Sequence, residues 1–295
     1  MIDAAGGWFE ITARFVFLTA TTGTIGAWVF HRFVLPRAVD AADPDFREAV
    51  RRLAHRAAVW GLSLIALTAG ARLMHRLASA PVEASGFGIL NPTRALMLQV
   101  AASLVAVAAL LTHRPKRAWP GVAEGALVVL AVTPPFLANA GSAVEWRALS
   151  VAVDITHLVA AGGWVGALAL LTWAAALIRR APQGPACIAT LIAGFHPVAV
   201  IAAPTVFVTG LLTAWLRMGA PEGIAAPTYS GLFVAKLLLV GATGYIGIGH
   251  SKIATKRLKT VPADATWRSL LLECAFAVAV LVVTAVLVGT AAIAA

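Results

Sequence analysis

The chain has 295 residues, 60% of them apolar and only 12% charged, with a mean hydropathy of +0.86. A soluble fold of this size has too little interior to hide that much apolar surface, so the composition excludes a soluble enzyme, a disordered chain and a disulfide-built secreted module. Long uninterrupted apolar runs argue against the alternating strands of an outer-membrane barrel, and the net charge of +10 is read as cytoplasmic loops, with no nucleic-acid partner expected.

The expected class is all-α: a polytopic helix bundle whose first partner is the lipid bilayer. Residues Met1 to Gly7 hold one Asp and no Lys or Arg, so the first apolar run is expected to be a retained span and not a cleaved signal. A helix needs about 20 apolar residues to cross roughly 30 Å of hydrocarbon. Eight runs qualify in chain order: Trp8–Leu35, Ala54–Ala78, Thr93–Thr112, Trp119–Asn139, Trp146–Ile178, Ile188–Leu216, Tyr229–His250 and Trp267–Ile293. Trp8, Trp119, Trp146 and Trp267 open their runs, at headgroup depth. Between the first two runs, Asp43 can cap a helix that Pro44 starts, and Phe46, Val50 and Leu53 form an apolar stripe beside Arg47, Arg51 and Arg52. This predicts an extension of the second span lying at the cytoplasmic surface.

Sixteen of the 23 Lys and Arg fall in or beside the first, third, fifth and seventh connections. The positive-inside rule then puts both termini in the periplasm. Glu10-Ile11-Thr12 and Asp154-Ile155-Thr156 open the first and fifth runs in parallel, which suggests two four-helix halves, residues 1–140 and 141–295.

Ionisable groups inside a bilayer are costly, and each is a functional candidate. His157 falls near the midplane of the fifth run, and Asp154 stands one turn nearer the outside on the same helix face. An acid and an imidazole so placed can hold a transition metal, or the acid can orient the ring, or the pair can simply fasten helices. His196 reaches similar depth in the sixth run, with Pro197 and Pro204 nearby to disturb the backbone, as at many transport sites. It is a candidate third ligand. Lys236, Glu273 and the i,i+4 pair Glu10 and Arg14 are read as structural or gating charges. His31, His55, His113 and His250 are expected to be solvated at the cytoplasmic face. Cys187 and Cys274 lie on the same side, as small buried residues or a soft ligand pair. Met74-His75, Met97 and Met218 gather near the outer face. Gly162, Gly163 and Gly166 allow close helix approach. There is no Walker sequence, nucleophile elbow or Cys-x-x-Cys, so no enzymatic activity is expected.

Several of these motifs fall together in a known pattern. Asp154-x-x-His157-Leu158-x-Ala160-x-x-x-Trp164-x-Gly166-x-Leu168, then Phe195 with Thr209-Gly210 and Ala214, then Tyr229-x-Gly231-x-x-x-x-Lys236, then Arg268 with Glu273, resemble the copper-resistance D family (CopD or PcoD type). The resemblance covers roughly the last 150 residues; the first half fits in span count and layout. It implies a bacterial inner-membrane protein that carries copper from the periplasm inward, and a separate periplasmic copper-binding partner of the copper-resistance C type, because no such domain is fused to this chain. It makes Asp154 and His157 metal-site candidates, and Lys236 and Glu273 structural or gating charges. The alternative is a membrane cytochrome in which His157 and His196 hold haem b between adjacent spans.

Overall fold

The structure is a computed structural model that describes residues 4–37, 44–79, 91–112, 119–137, 146–218, 227–256 and 259–291. Each of the eight apolar runs falls on a helix, and there is no strand among the described residues. Helix α1 (Ala4–Val29) continues through a wider π turn (Phe30–Val34) into Leu35–Arg37. Helix α2 is Pro44–Ser79, α3 is Pro92–Thr112, and α4 is Gly121–Val132 with a short continuation, Pro134–Leu137. Helix α5 is Arg147–Ala161, a π turn at Gly162–Gly166, and Ala167–Ile178. Helices α6 (Gly184–Met218), α7 (Pro227–Thr255) and α8 (Ala263–Ala291) complete the bundle.

Six of the eight are long and apolar enough to cross a membrane. The other two depart from expectation for separate reasons. In α1, Glu10, Arg14 and a run of threonines dilute the apolar character, and Thr22 and Thr24 turn their hydroxyls back onto the carbonyls of Leu18 and Ala20. In α4, Pro134 and Pro135 interrupt the helix after Thr133, so the fourth run is a short apolar helix. Gln99, fully buried on α3, donates to Thr133 at 3.0 Å and closes this corner.

The expected extension of the second run is present. α2 begins at Pro44, and Val50 and Leu53 are buried while Phe46 packs on the core. Asp43 lies outside the described residues. The prolines of the sixth run behave differently from expectation. α6 runs unbroken through Pro197 and Pro204, and the irregular backbone sits instead in α1 and α5. π turns of this kind gather at functional sites.

Helix α1 packs against α2, against the π turn of α5, and against α8, so its contacts join residues 1–140 to residues 141–295. The α1–α5 crossing is a backbone-on-backbone contact. A methyl on Gly166 would run into the Thr22 carbonyl and the Gly26 Cα, and one on Gly162 would stand 2.7 Å from Ile25 Cβ. In lipid, where the hydrophobic effect cannot hold helices together, such small-residue contacts supply the close packing.

The end of the bundle where α1 and α5 begin is called here the upper end. The charge bias predicts that it faces the periplasm. A periplasmic reporter fused after Ala295 is expected to be active and a cytoplasmic one silent; the reverse pattern would overturn this orientation.

Candidate functional site

The upper half of the bundle holds a cleft of about 230 Å³. Its walls bring together Asp154 and His157 of α5, Arg14 of α1, Arg72 of α2 and Lys236 of α7. Glu10 joins this set from α1. Its Oε1 accepts from Arg14 Nε at 2.8 Å and from Arg72 Nη2 at 2.7 Å. The expected Glu10–Arg14 pair is therefore a triad that ties α1 to α2. Arg72, from the neighbouring helix, is its third member, with a side chain 13% exposed.

Asp154 and His157 each meet a threonine on α6. Thr213 donates to Asp154 Oδ1 at 3.2 Å, and His157 Nδ1 lies 2.9 Å from Thr209 Oγ1. Thr209 spends its single hydroxyl hydrogen on the Thr205 carbonyl. Thr209 can then accept from the His157 Nδ1–H. Gly210 makes room for the ring, since a Cβ there would stand 3.3 Å from His157 Cε1. The three-residue spacing on α5 meets the four-residue spacing on α6, one turn of each helix. Sequence reasoning quoted Thr209 only within the family-like pattern and missed Thr213; their i,i+4 spacing on the sequence-adjacent helix was the available signal for a shared site.

His196 does not join this group. It lines a second cavity of about 310 Å³ in the lower half, together with His250 and Glu273. The reason is position along α6. His196 stands more than three turns below Thr209, which faces His157. Because His157 and His196 open onto different cavities, the haem alternative gains no support. Among the described residues, only Trp164 lines both cavities. It sits in the π turn of α5 and is 4% exposed.

Glu273 has the partner its burial demands. His250 Nδ1 lies 2.9 Å from Glu273 Oε2, and the carboxylate side chain is 2% exposed. His250 was expected to be solvated; its side chain is only 12% exposed because α8 covers it. A buried carboxylate two turns into a neighbouring helix was the signal for that pairing. Cys274 Sγ meets Thr172 Oγ1 at 3.1 Å, and Cys187 is buried, so the two cysteines sit as small packing residues. Met74 is largely exposed, and His75 packs against Phe9 with ring centroids 5.1 Å apart and the rings tilted by 48°. His113 and the Met218 side chain lie outside the described residues. Among the described residues no group of three or more His, Cys, Asp or Glu side chains could hold a metal ion.

A helical bundle of many apolar spans with buried ionisable groups around two internal cavities defines a multi-pass membrane protein. Residues 189–287 match the family model of copper resistance protein D, which supports a CopD-like family and a copper-resistance-related membrane protein. No curated protein and no solved structure matches the chain. The matched segment runs from α6 to α8 and contains His196, Lys236, His250 and Glu273; Asp154 and His157 precede it.

Proposed function

We propose that this protein moves copper across the bacterial inner membrane, from the periplasm toward the cytoplasm, by way of the two cavities. The observation that carries the reading is their arrangement within a CopD-like bundle: an upper cleft lined by Asp154 and His157, a lower cavity with two more imidazoles, and Trp164 shared between them. Copper enters beside Asp154 and His157 and passes to the lower cavity. Imidazole suits copper, and the carboxylate offsets its charge. Glu10 neutralises one of the two upper arginines, and Lys236 faces the cleft as a gating charge. The chain offers no nucleotide-binding sequence, so the movement follows a gradient or handover and not catalysis. A soluble periplasmic copper carrier of the copper-resistance C type delivers the metal at the upper end, where Met74 is exposed; crosslinks confined to the lower loops would overturn that docking.

The test is His157→Gln. Glutamine can still hydrogen-bond Thr209 but is a poor copper ligand. Cells carrying the variant are expected to make normal amounts of folded protein and to lose at least tenfold in protein-dependent copper accumulation. Accumulation at the wild-type level would overturn the role of the upper cleft.

A further inference from the structure

The lower cavity contains a histidine whose geometry is that of a metal ligand waiting for its ion. His250 is clamped at one edge: its Nδ1 lies 2.9 Å from Glu273 Oε2. Glu273 is buried, and nothing but the imidazole N–H is placed to satisfy that oxygen among the hydrogen bonds of the described residues. The carboxylate therefore holds a proton on Nδ1, and in the neutral ring the lone pair is on Nε2. That Nε2 is buried and has no hydrogen-bond partner among the described residues. A buried lone pair left without a donor is costly, and native interiors rarely tolerate one without a purpose. A carboxylate behind a histidine, with the far nitrogen free, is the arrangement by which proteins orient metal-binding imidazoles.

The rest of the cavity supplies one more such donor. His196 of α6 lines it too, and apart from Ser251 the remaining walls are apolar, with Trp164, Leu171, Ile192 and Phe195 among them. Gly247 leaves space for the carboxylate, since a Cβ there would stand 3.2 Å from Glu273 Oε1. Among the described residues no cluster of three His, Cys, Asp or Glu side chains is available, so what the cavity offers a metal is these two imidazoles. Zinc asks for four ligands, and calcium and magnesium for six or more oxygens. Cu(I) is the biological cation that accepts two nitrogen donors in an apolar pocket.

We propose that His250 and His196 form a two-imidazole Cu(I) site in the lower cavity, with Glu273 as the positioning residue behind His250. The proposal rests on the copper reading above and deepens it: copper that passes Trp164 is held as Cu(I), without a charged ligand in its first contact, before release below.

The experiment is a Cu(I) titration of the purified full chain under anaerobic conditions against a chromophoric Cu(I) chelator, with X-ray absorption at the copper edge. The His157→Gln background removes the upper cleft from the count. In that background one tightly held Cu(I) with two nitrogen neighbours is expected. His250→Ala and His196→Ala are each expected to weaken it at least tenfold, with unchanged elution on size exclusion. Glu273→Gln is expected to weaken it by roughly 10-fold while keeping two nitrogen neighbours, a signature that simple loss of structure would not preserve. Because Ala leaves a cavity in the interior, His250→Gln serves as the shape-preserving variant with the same expected loss. Wild-type affinity in the His250 and His196 variants, or sulfur or more than two nitrogens around copper, would overturn the site. If those variants keep their affinity while the wild-type chain still drives copper accumulation in cells, the inner site falls and the transport reading stands. If the wild-type chain drives no accumulation, the transport reading falls with it.

Discussion

Gly166→Ala is expected to leave little folded protein in the membrane. The added methyl has nowhere to go, because it meets the Thr22 carbonyl and the Gly26 Cα, both backbone atoms that no rotamer change can move. Overpacking of a tight core costs about 1–3 kcal/mol, and a backbone collision lies at the top of that range. Gly163, three residues earlier in the same π turn, is the control. A methyl there would meet only Val29 Cγ2, at an ordinary 3.6 Å, so Gly163→Ala is expected to behave as wild type. Thermal unfolding in detergent, followed by size exclusion, separates the two. Equal stability of both variants would show that the α1–α5 crossing is looser than the backbone contact implies.

The second large effect belongs to Trp164. The indole stands between the upper cleft and the lower cavity and is almost wholly buried. Trp164→Ala joins spaces of about 230 and 310 Å³ into one continuous passage. Proteoliposomes containing the variant and a trapped pH-sensitive dye are expected to leak protons at least tenfold faster than wild type. Removal of a core tryptophan also costs about 3–5 kcal/mol, so Trp164→Phe provides the needed comparison. Phenylalanine keeps most of the plug and is expected to stay tight. If Trp164→Ala liposomes hold their gradient as well as wild type, some other layer of the bundle separates the cavities.

Much of this architecture is legible in the sequence because lipid imposes a simple rule. Every long apolar run must satisfy its own backbone, so each of the eight runs becomes a helix. The α2 extension and the Gly162 to Gly166 contact follow from local chemistry as well. The sequence is less informative where neighbours decide. His196 and His157 sit at similar depth by residue count, yet a few turns along α6 separate their cavities. His250 reads as a surface group among lysines until α8 is laid over it and Glu273 meets its ring. The prolines of α6 look like the break in the bundle, but the glycines of α5 provide it, since a π turn needs only a local change in hydrogen bonding. The Glu10–Arg14–Arg72 triad was half visible, because an i,i+4 pair lies within one helix and its third member comes from another.

The packing of α1 also bears on how the chain is made. α1 is the first of the described helices to leave the ribosome, and two of the surfaces it rests on, the π turn of α5 and α8, are translated much later. Its Gly26 face must wait in lipid, or against a chaperone, through the synthesis of about 140 further residues until Gly166 arrives. α2 is the exception: it follows directly and packs along α1, and Arg72 meets Glu10 across that pair. That early hairpin gives the nascent chain a charge-satisfied stub with which to wait. Assembly is therefore a closing of the last helices around the first, and a nascent chain arrested before Gly166 would hold a stable α1–α2 pair with its glycine seam still bare.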